Sequence, residues 1–489
     1  VAARRRRLAR AGEPRGAGGG RLRIEDAVTD TPRYRRRDWV PAELEAAIAA
    51  MAEGWTGASP AALQAALDAE LAAHDRWVER ECISLIAGTN AMNPAAAKYL
   101  SHPIGSRPSL GWPGDKYETG LAHAERIEVL TTELLKRVFR CDFAEHRVAS
   151  GSIANLYAYM ATCAPGDAIV AFPARFAGHV THHPAGAAGL YRLRVLDMPM
   201  DAAAMTIDLD ALRALARRER PRLVIVGGSM CLYAYPVREV RAIADEVGAA
   251  VMYDAAHMSG LIAGGAFQQP LAEGAHLMTA STYKSFGGPP SGMVLTNDAA
   301  LAARLDAIAH PGLTANFDLG RTAALAAACL DLVEHGAAYA RACIEVARAL
   351  AAALRAQGVP VFAATAGANA GRDTDSQFVA VPAGALPVAR SARTPPGRGF
   401  GGTAASRLLE PANLLATGIE IPADPVPGDQ NAVRLGTQEI VRWGFGPAHM
   451  PRLASLLARA WVKGEDPASM RAEVVAWRRE FQRMHHVRG

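Results

Sequence analysis

Between residues 85 and 300, short apolar runs alternate with stretches whose apolar positions recur every three to four residues. Ala168-Ile-Val-Ala171, after the turn Pro165-Gly166-Asp167, reads as a buried strand. So do Leu223-Val-Ile-Val226 ahead of Gly227-Gly228, Ala250-Val-Met-Tyr253 ahead of Asp254, and Gly292-Met-Val-Leu-Thr296 ahead of Asn297-Asp298. Helical spacing fills Asp208–Arg218 and Val237–Val247. This alternation predicts an α/β fold with a mostly parallel sheet between helices. Ligands then bind at the carboxyl ends of the strands.

The pattern differs on either side. Pro41 to Ala73 is rich in Ala, Leu and Glu at helical spacing and predicts one or two helices in an N-terminal arm, 41–84. A large domain is expected at 85–334. An alanine-rich helix, Arg321 to Gln357, leads into a smaller C-terminal α/β domain at 335–489. Within it, 363–405 is rich in Gly, Ala, Pro, Ser and Arg and reads as a mobile loop or insertion.

Composition changes this picture in three places. A hydrophobic share of 50% with 21% charged residues excludes a largely disordered or collagen-like chain. No apolar run approaches the ~18 residues of a membrane span. The formal charge of +5 is concentrated: residues 1–37 hold twelve arginines against four acids, and the remainder is mildly acidic. Residues 1–40 therefore read as a basic, disordered tail. Such a tail can contact nucleic acid or anionic lipid, yet it lacks the apolar core of a secretory signal, and neither partner is expected. The six cysteines are scattered without a C-x-x-C pair, so no metal site is expected and the thiols read as reduced, in a cytoplasmic protein.

Only five of the 53 basic residues are lysines, and one of these, Lys284, lies in Ala280-Ser-Thr-Tyr-Lys284-Ser-Phe-Gly-Gly-Pro-Pro-Ser-Gly292. A lysine whose surroundings lower its pKa can form a Schiff base with a carbonyl; a surface lysine in a Gly-rich loop is the plain alternative. Asp254 ends an apolar strand and faces either the ligand crevice or, as a helix N-cap, Ala255. Together the two suit pyridoxal 5'-phosphate (PLP), which needs a lysine for its aldehyde and an acid at its ring nitrogen. Ser150-Gly151-Ser152, ahead of a helical run, offers an anion cup for a phosphate or an ordinary N-cap. Of the histidines in Phe176-Ala-Gly-His179-Val-Thr-His-His183, His179 is the choice to lie on a cofactor ring, against a core or surface role. Arg434, in Ala432-Val-Arg-Leu-Gly-Thr437, could fork onto a substrate carboxylate or stand solvated.

Taken together, these phrases resemble serine hydroxymethyltransferase, of the PLP-dependent transferase fold type I. The likeness runs from Ser84 to about Asp298 and more loosely to about Trp461. It includes Leu85-Ile-Ala87 with Asn90, Ser150-Gly-Ser152 with Ala154-Asn155, Gly178-His179 with Thr181-His182, Asp254 with Ala256-His257, Thr282 with Lys284, and Arg434 with Gly436-Thr437. The resemblance implies that Lys284 bonds the cofactor, Asp254 meets its ring nitrogen, and Ser150, Gly151 and Ser152 bind its phosphate. It implies that His179 stacks on the ring, that His257 and Ser229 also contact the cofactor, and that Thr282 assists beside Lys284. Arg434 and Tyr117 would bind a small amino-acid substrate. A homodimer, possibly a tetramer, is implied.

The sequence departs from the family around residue 110. The family's Tyr-Ala-Glu-Gly-Tyr-Pro-Gly segment reads Pro108-Ser-Leu110-Gly-Trp-Pro-Gly114, followed by Tyr117-Glu118. The glutamate tied to folate chemistry is thus Leu110, which transfers no protons; Glu118 is the candidate to take over. The expected activity is cleavage or formation of the Cα–Cβ bond of serine or an α-substituted serine, with tetrahydrofolate possible but in doubt. A folate-independent aldolase or transaldolase is the alternative reading, and an aminotransferase the remote one.

Overall fold

The computed structural model describes residues 34–390, 394–395 and 397–489, so most of the basic tail lies outside the described residues. The described residues form two compact units, divided between Arg80 and Glu81.

In the first unit, two helices form where the pattern places them, α1 (Ala42–Glu53) and α2 (Pro60–His74). Ser59 caps α2 by accepting the Ala62 N–H at 3.2 Å, and Pro60, with no N–H to satisfy, fills the first turn. The tail expected to be disordered to residue 40 is folded from 34 onward. Arg37 pairs with Glu45 of α1 at 3.1 Å, and its backbone N–H donates to the same carboxylate at 2.7 Å. Two charge-assisted bonds to one buried acid suffice to order a short segment that composition alone reads as solvated.

The second unit is built on a seven-stranded sheet. Its strands are β1 (Phe143–Val148), β2 (Ala168–Ala171), β3 (Arg194–Asp197), β4 (Leu223–Gly227), β5 (Ala250–Asp254), β6 (Leu277–Ser281) and β7 (Gly292–Thr296). They lie in the order β1-β7-β6-β5-β4-β2-β3. Every pairing is parallel except the two made by β7. The reversal has a local cause: the connection 282–291 is too short for a crossover helix, so the chain must return antiparallel. Lys284 rides on that connection. Strands β4 and β6 are buried along their whole length, as strands covered on both faces must be.

Beyond β1, helix α3 (Gly151–Thr162) begins at the sheet's carboxyl end. The alanine-rich segment forms a single 38-residue helix, α4 (Leu319–Ala356), which runs through the boundary expected at 334/335. A second, antiparallel sheet follows, β8 (Phe378–Pro382), β9 (Thr417–Ile419) and β10 (Ala432–Gly436), in the order β8-β10-β9. β8 corrects the reading of 363–405 as a mobile loop. Phe378-Val-Ala-Val is buried and fully paired with β10; the short strand is masked by the Gly- and Pro-rich residues around it. Helix α5 (Gln438–Arg442) follows β10 directly. Among the described residues, no helix is long and apolar enough to cross a membrane, and all six cysteines are buried and unpaired.

Candidate active site

The site assembles where parallel strands end. Ser150 follows β1, His179 follows β2, Ser229 follows β4, Asp254 ends β5, and Thr282 and Lys284 follow β6. Register aligns Asp254 with Gly227 on one side and Thr279 on the other, which brings residues distant in sequence to one level. Arg434 enters from β10.

Lys284 is 7% exposed, and its Nζ lies 3.2 Å from Nε2 of His257. Burial pushes its amine down to about 8; the Asp254 charge pulls the other way, and Arg434 reinforces the shift. His257 Nδ1 stands 3.1 Å from the Ala87 carbonyl, which fixes the proton on that nitrogen and leaves Nε2 as an acceptor. Nε2 faces both Lys284 and the Arg434 guanidinium, the latter at 3.4 Å. Burial and those two cations hold His257 neutral, far below the usual histidine range.

Asp254 is buried as deeply. Burial alone would raise its pKa, but a hydrogen bond from His182 Nε2 at 2.8 Å and the nearby imidazoles hold the carboxyl well below the usual range. Asn155 Nδ2 donates to the same oxygen at 3.1 Å, and the Ala256 N–H to the other at 2.9 Å. That last bond closes a local turn, but no helix starts at Ala255: the next helix is Ser259–Ala263, so Asp254 is not its N-cap. Asn155 also ties Thr279 to Thr181, at 2.7 and 2.9 Å. Thr181 in turn meets His179 Nδ1 at 2.8 Å, and burial pushes the His179 imidazole down to about 4. His182 and Asn155 stand in phrases quoted for the resemblance, but neither was assigned a role; an acid at a strand end needs donors, and this need points to them.

Arg434 is 7% exposed rather than solvated. One guanidinium nitrogen donates to the Ser229 carbonyl, its Nε has no partner, and among the described residues no carboxylate pairs with it. Burial pushes its pKa down to about 10. A buried cation with an orphaned donor is costly unless an anion completes it.

Ser150 caps α3, its Oγ accepting the Ile153 N–H at 3.3 Å, and the following N–H groups open the helix. Ser152 is exposed. Gly151 lets the start of α3 lie close against the end of β6: a Cβ there would come within 2.2 Å of Ser281 Oγ. Three expected residues stand apart from the cluster within one chain. The Thr282 hydroxyl is buried and donates to the Pro289 carbonyl at 2.5 Å, so it holds the loop rather than facing the Lys284 amine. Tyr117 is 83% exposed, and Glu118 accepts the Leu110 N–H at 3.4 Å; among the described residues neither has a side-chain hydrogen bond to the cluster.

The residues present fit PLP: a buried, depressed amine, an ionised acid fixed by three donors, and a helix start whose N–H groups suit a phosphate. Fold and site together define a PLP-dependent enzyme of fold type I. The chain matches the serine hydroxymethyltransferase family over residues 65–457 and belongs to it. It is an enzyme of the kind that cleaves serine-type Cα–Cβ bonds. It is similar to an alpha-methylserine aldolase of Variovorax paradoxus, 51% identical over 90% of this chain and 96% of the relative. A serine hydroxymethyltransferase of Pyrobaculum neutrophilum is 35% identical over 83% and 91%. In fold it resembles the crystal structure of L-threonine transaldolase from Pseudomonas fluorescens, with a TM-score of 0.75 at 22% identity over 87% of this chain and 94% of the other.

Proposed function

We propose that this enzyme cleaves serine and α-methylserine, releasing formaldehyde and leaving glycine or alanine, without tetrahydrofolate. The gradient of similarity carries the reading. Four relatives named alpha-methylserine aldolase are 45–51% identical, whereas four named serine hydroxymethyltransferase are 34–35% identical. Leu110, where the family's folate-linked glutamate is expected, supports the same conclusion.

In this reading Lys284 bonds PLP, Asp254 meets its ring nitrogen, and His179, His257 and Ser229 line the ring. Ser150, Gly151 and Ser152 receive the phosphate. When bound, PLP withdraws electrons from the bonds at the substrate Cα. Arg434 holds the substrate carboxylate through its free guanidinium edge, which orients the Cα–Cβ bond. The bond breaks with its electron pair on Cα, the β-hydroxyl loses its proton, and the former Cβ leaves as formaldehyde. Lys284 Nζ, with a pKa near neutrality, is suited to return a proton to Cα. Tyr117 and Glu118 act from the neighbouring copy of a homodimer, the arrangement their exposed hairpin suits. Glu118 then takes the hydroxyl proton. The mild acidity of the body and the reduced cysteines agree with a cytoplasmic setting.

The test is to incubate the PLP-loaded protein with serine or α-methylserine, with and without tetrahydrofolate, and to measure formaldehyde and the amino-acid product. Formaldehyde and alanine from α-methylserine in the absence of tetrahydrofolate are expected. No formaldehyde from either substrate would overturn the reading, and strict dependence on tetrahydrofolate would overturn its folate-free part.

A further inference from the structure

The four carbonyls that begin with that of Lys284 are all held from outside their own loop. Asn90 Nδ2 donates to the Lys284 carbonyl at 3.0 Å, and the Tyr339 hydroxyl donates to that of Ser285 at 3.0 Å. The Arg442 guanidinium donates to those of Phe286 and Gly287, at 3.5 and 3.2 Å. The three holders form one network: Asn90 Nδ2 lies 2.9 Å from the Tyr339 oxygen, and the Arg442 guanidinium lies 5.3 Å from the Tyr339 ring. Tyr339 stands on α4 and Arg442 on α5. Both are buried, and Arg442 also donates to the Ala91 carbonyl at 2.7 Å. Its Nε has no partner.

The segment 481–489 returns to these same residues. Phe481 stacks on Phe445 with ring centres 3.9 Å apart. The His485 N–H donates to the Arg442 carbonyl at 2.6 Å, and the His486 ring packs 5.8 Å from that of Tyr339. Arg488 completes the attachment: its N–H donates to Asp331 at 2.8 Å, and its carbonyl accepts from Asn93 at 3.0 Å. Asp331 lies two turns before Tyr339 on α4. The segment is therefore fastened on both sides of the two residues that hold the lysine loop.

We propose that 481–489 is a positioning strap: by fixing Tyr339 and Arg442 it sets the pose and burial of the loop that carries Lys284. The proposal rests on Lys284 being the residue that bonds the cofactor. Tyr339, Arg442 and His486 are positioning residues, acting only through the loop. Burial is the main cause of the depressed Lys284 amine, so a loosened strap admits water and lets its pKa rise. Asp254, His179, His257 and Arg434, the charged and titratable groups around the amine, are left untouched.

Three variants test this: a chain ending at Met484, His486→Ala, and His486→Phe, which keeps a ring against Tyr339. In cofactor-free protein, the pH profile of Lys284 acylation reports its pKa. In PLP-loaded protein, the pH dependence of the cofactor's absorbance, kcat and KM are measured, alongside melting temperature. The shortened chain and His486→Ala should raise the Lys284 pKa by half a unit or more and lower kcat about three- to tenfold, with KM nearly constant. His486→Phe should restore both. A lower melting temperature with unchanged pKa and kcat would make the segment merely structural and overturn the proposal, as would failure of His486→Phe to restore them. If the shortened chain does not fold, the His486 pair decides. If PLP does not attach to Lys284, the functional reading fails, whereas the acylation profile still judges the strap.

Discussion

At the scale of single residues, the site is a set of ionisable groups whose pKa values are moved from their ordinary ranges. Lys284 shows the cost. Its folded pKa of about 8 lies below the ~10.4 of an unfolded lysine, so between those values the unfolded chain binds the extra proton. Stability of the cofactor-free protein therefore rises with pH across that window. Below it, burying this amine costs about 3 kcal/mol. A Lys284→Met variant without cofactor should melt at a higher temperature than wild type at pH 7, and the gap should close towards pH 10. Equal melting at pH 7 would show that the amine is not strained by burial. Asp254 has the opposite sign. Its pKa is depressed, so its contribution is present above the unfolded value and lost as pH falls. Replacing His182 by Phe removes the donor that most lowers that pKa, so the acid-unfolding midpoint should move to higher pH, by circular dichroism. Asp254→Asn should weaken PLP binding about ten- to a hundredfold, the loss of a charge-assisted bond.

At the scale of elements, the start of α3 is the tightest point. Gly151→Ala places a methyl group within 2.2 Å of Ser281 Oγ, at the end of β6. The Ser281 hydroxyl must turn away or α3 must shift against β6, so PLP affinity should fall about tenfold while the far-ultraviolet spectrum stays unchanged; unaltered affinity would show that the hydroxyl alone yields. Elements differed in how legible they were. β2 and β7 could be read to the residue because they are apolar runs bounded by turns. β1 could not, because Phe143-Ala-Glu-His-Arg-Val148 carries charge, and only the fold supplies Asp306 to join Glu145 on Arg147, each at 2.6 Å. β8 was lost in a Gly- and Pro-rich stretch. Within the site, Lys284, Asp254 and Arg434 were legible by residue type and position. Asn90, Tyr339 and Arg442 were not, because they act on backbone carbonyls, and nothing in a side-chain pattern shows which carbonyls need a partner.

At the scale of the whole molecule, the hairpin at 111–116 sets the residues that follow it on an anchored base. Lys116 anchors it from within, paired with Glu128 at 2.7 Å in a buried bridge, while Ser109 donates to the same carboxylate at 2.5 Å. Tyr117, next to this anchor, is nonetheless 83% exposed. A side chain presented from a rigidly fixed base, away from its own cluster, suits a site completed by a second copy. Symmetry makes this testable, because a two-fold dimer pairs each hairpin with the other subunit's lysine. Lys284→Ala and Tyr117→Ala homodimers should each be nearly inactive. Mixed after separation and reassociation in equal amounts, half of the dimers would be mixed, and each would carry one site with both residues intact. Activity should then recover to about a quarter of wild type. If both residues belonged to the same chain's site, every site in the mixture would lack one of them, and no activity would return.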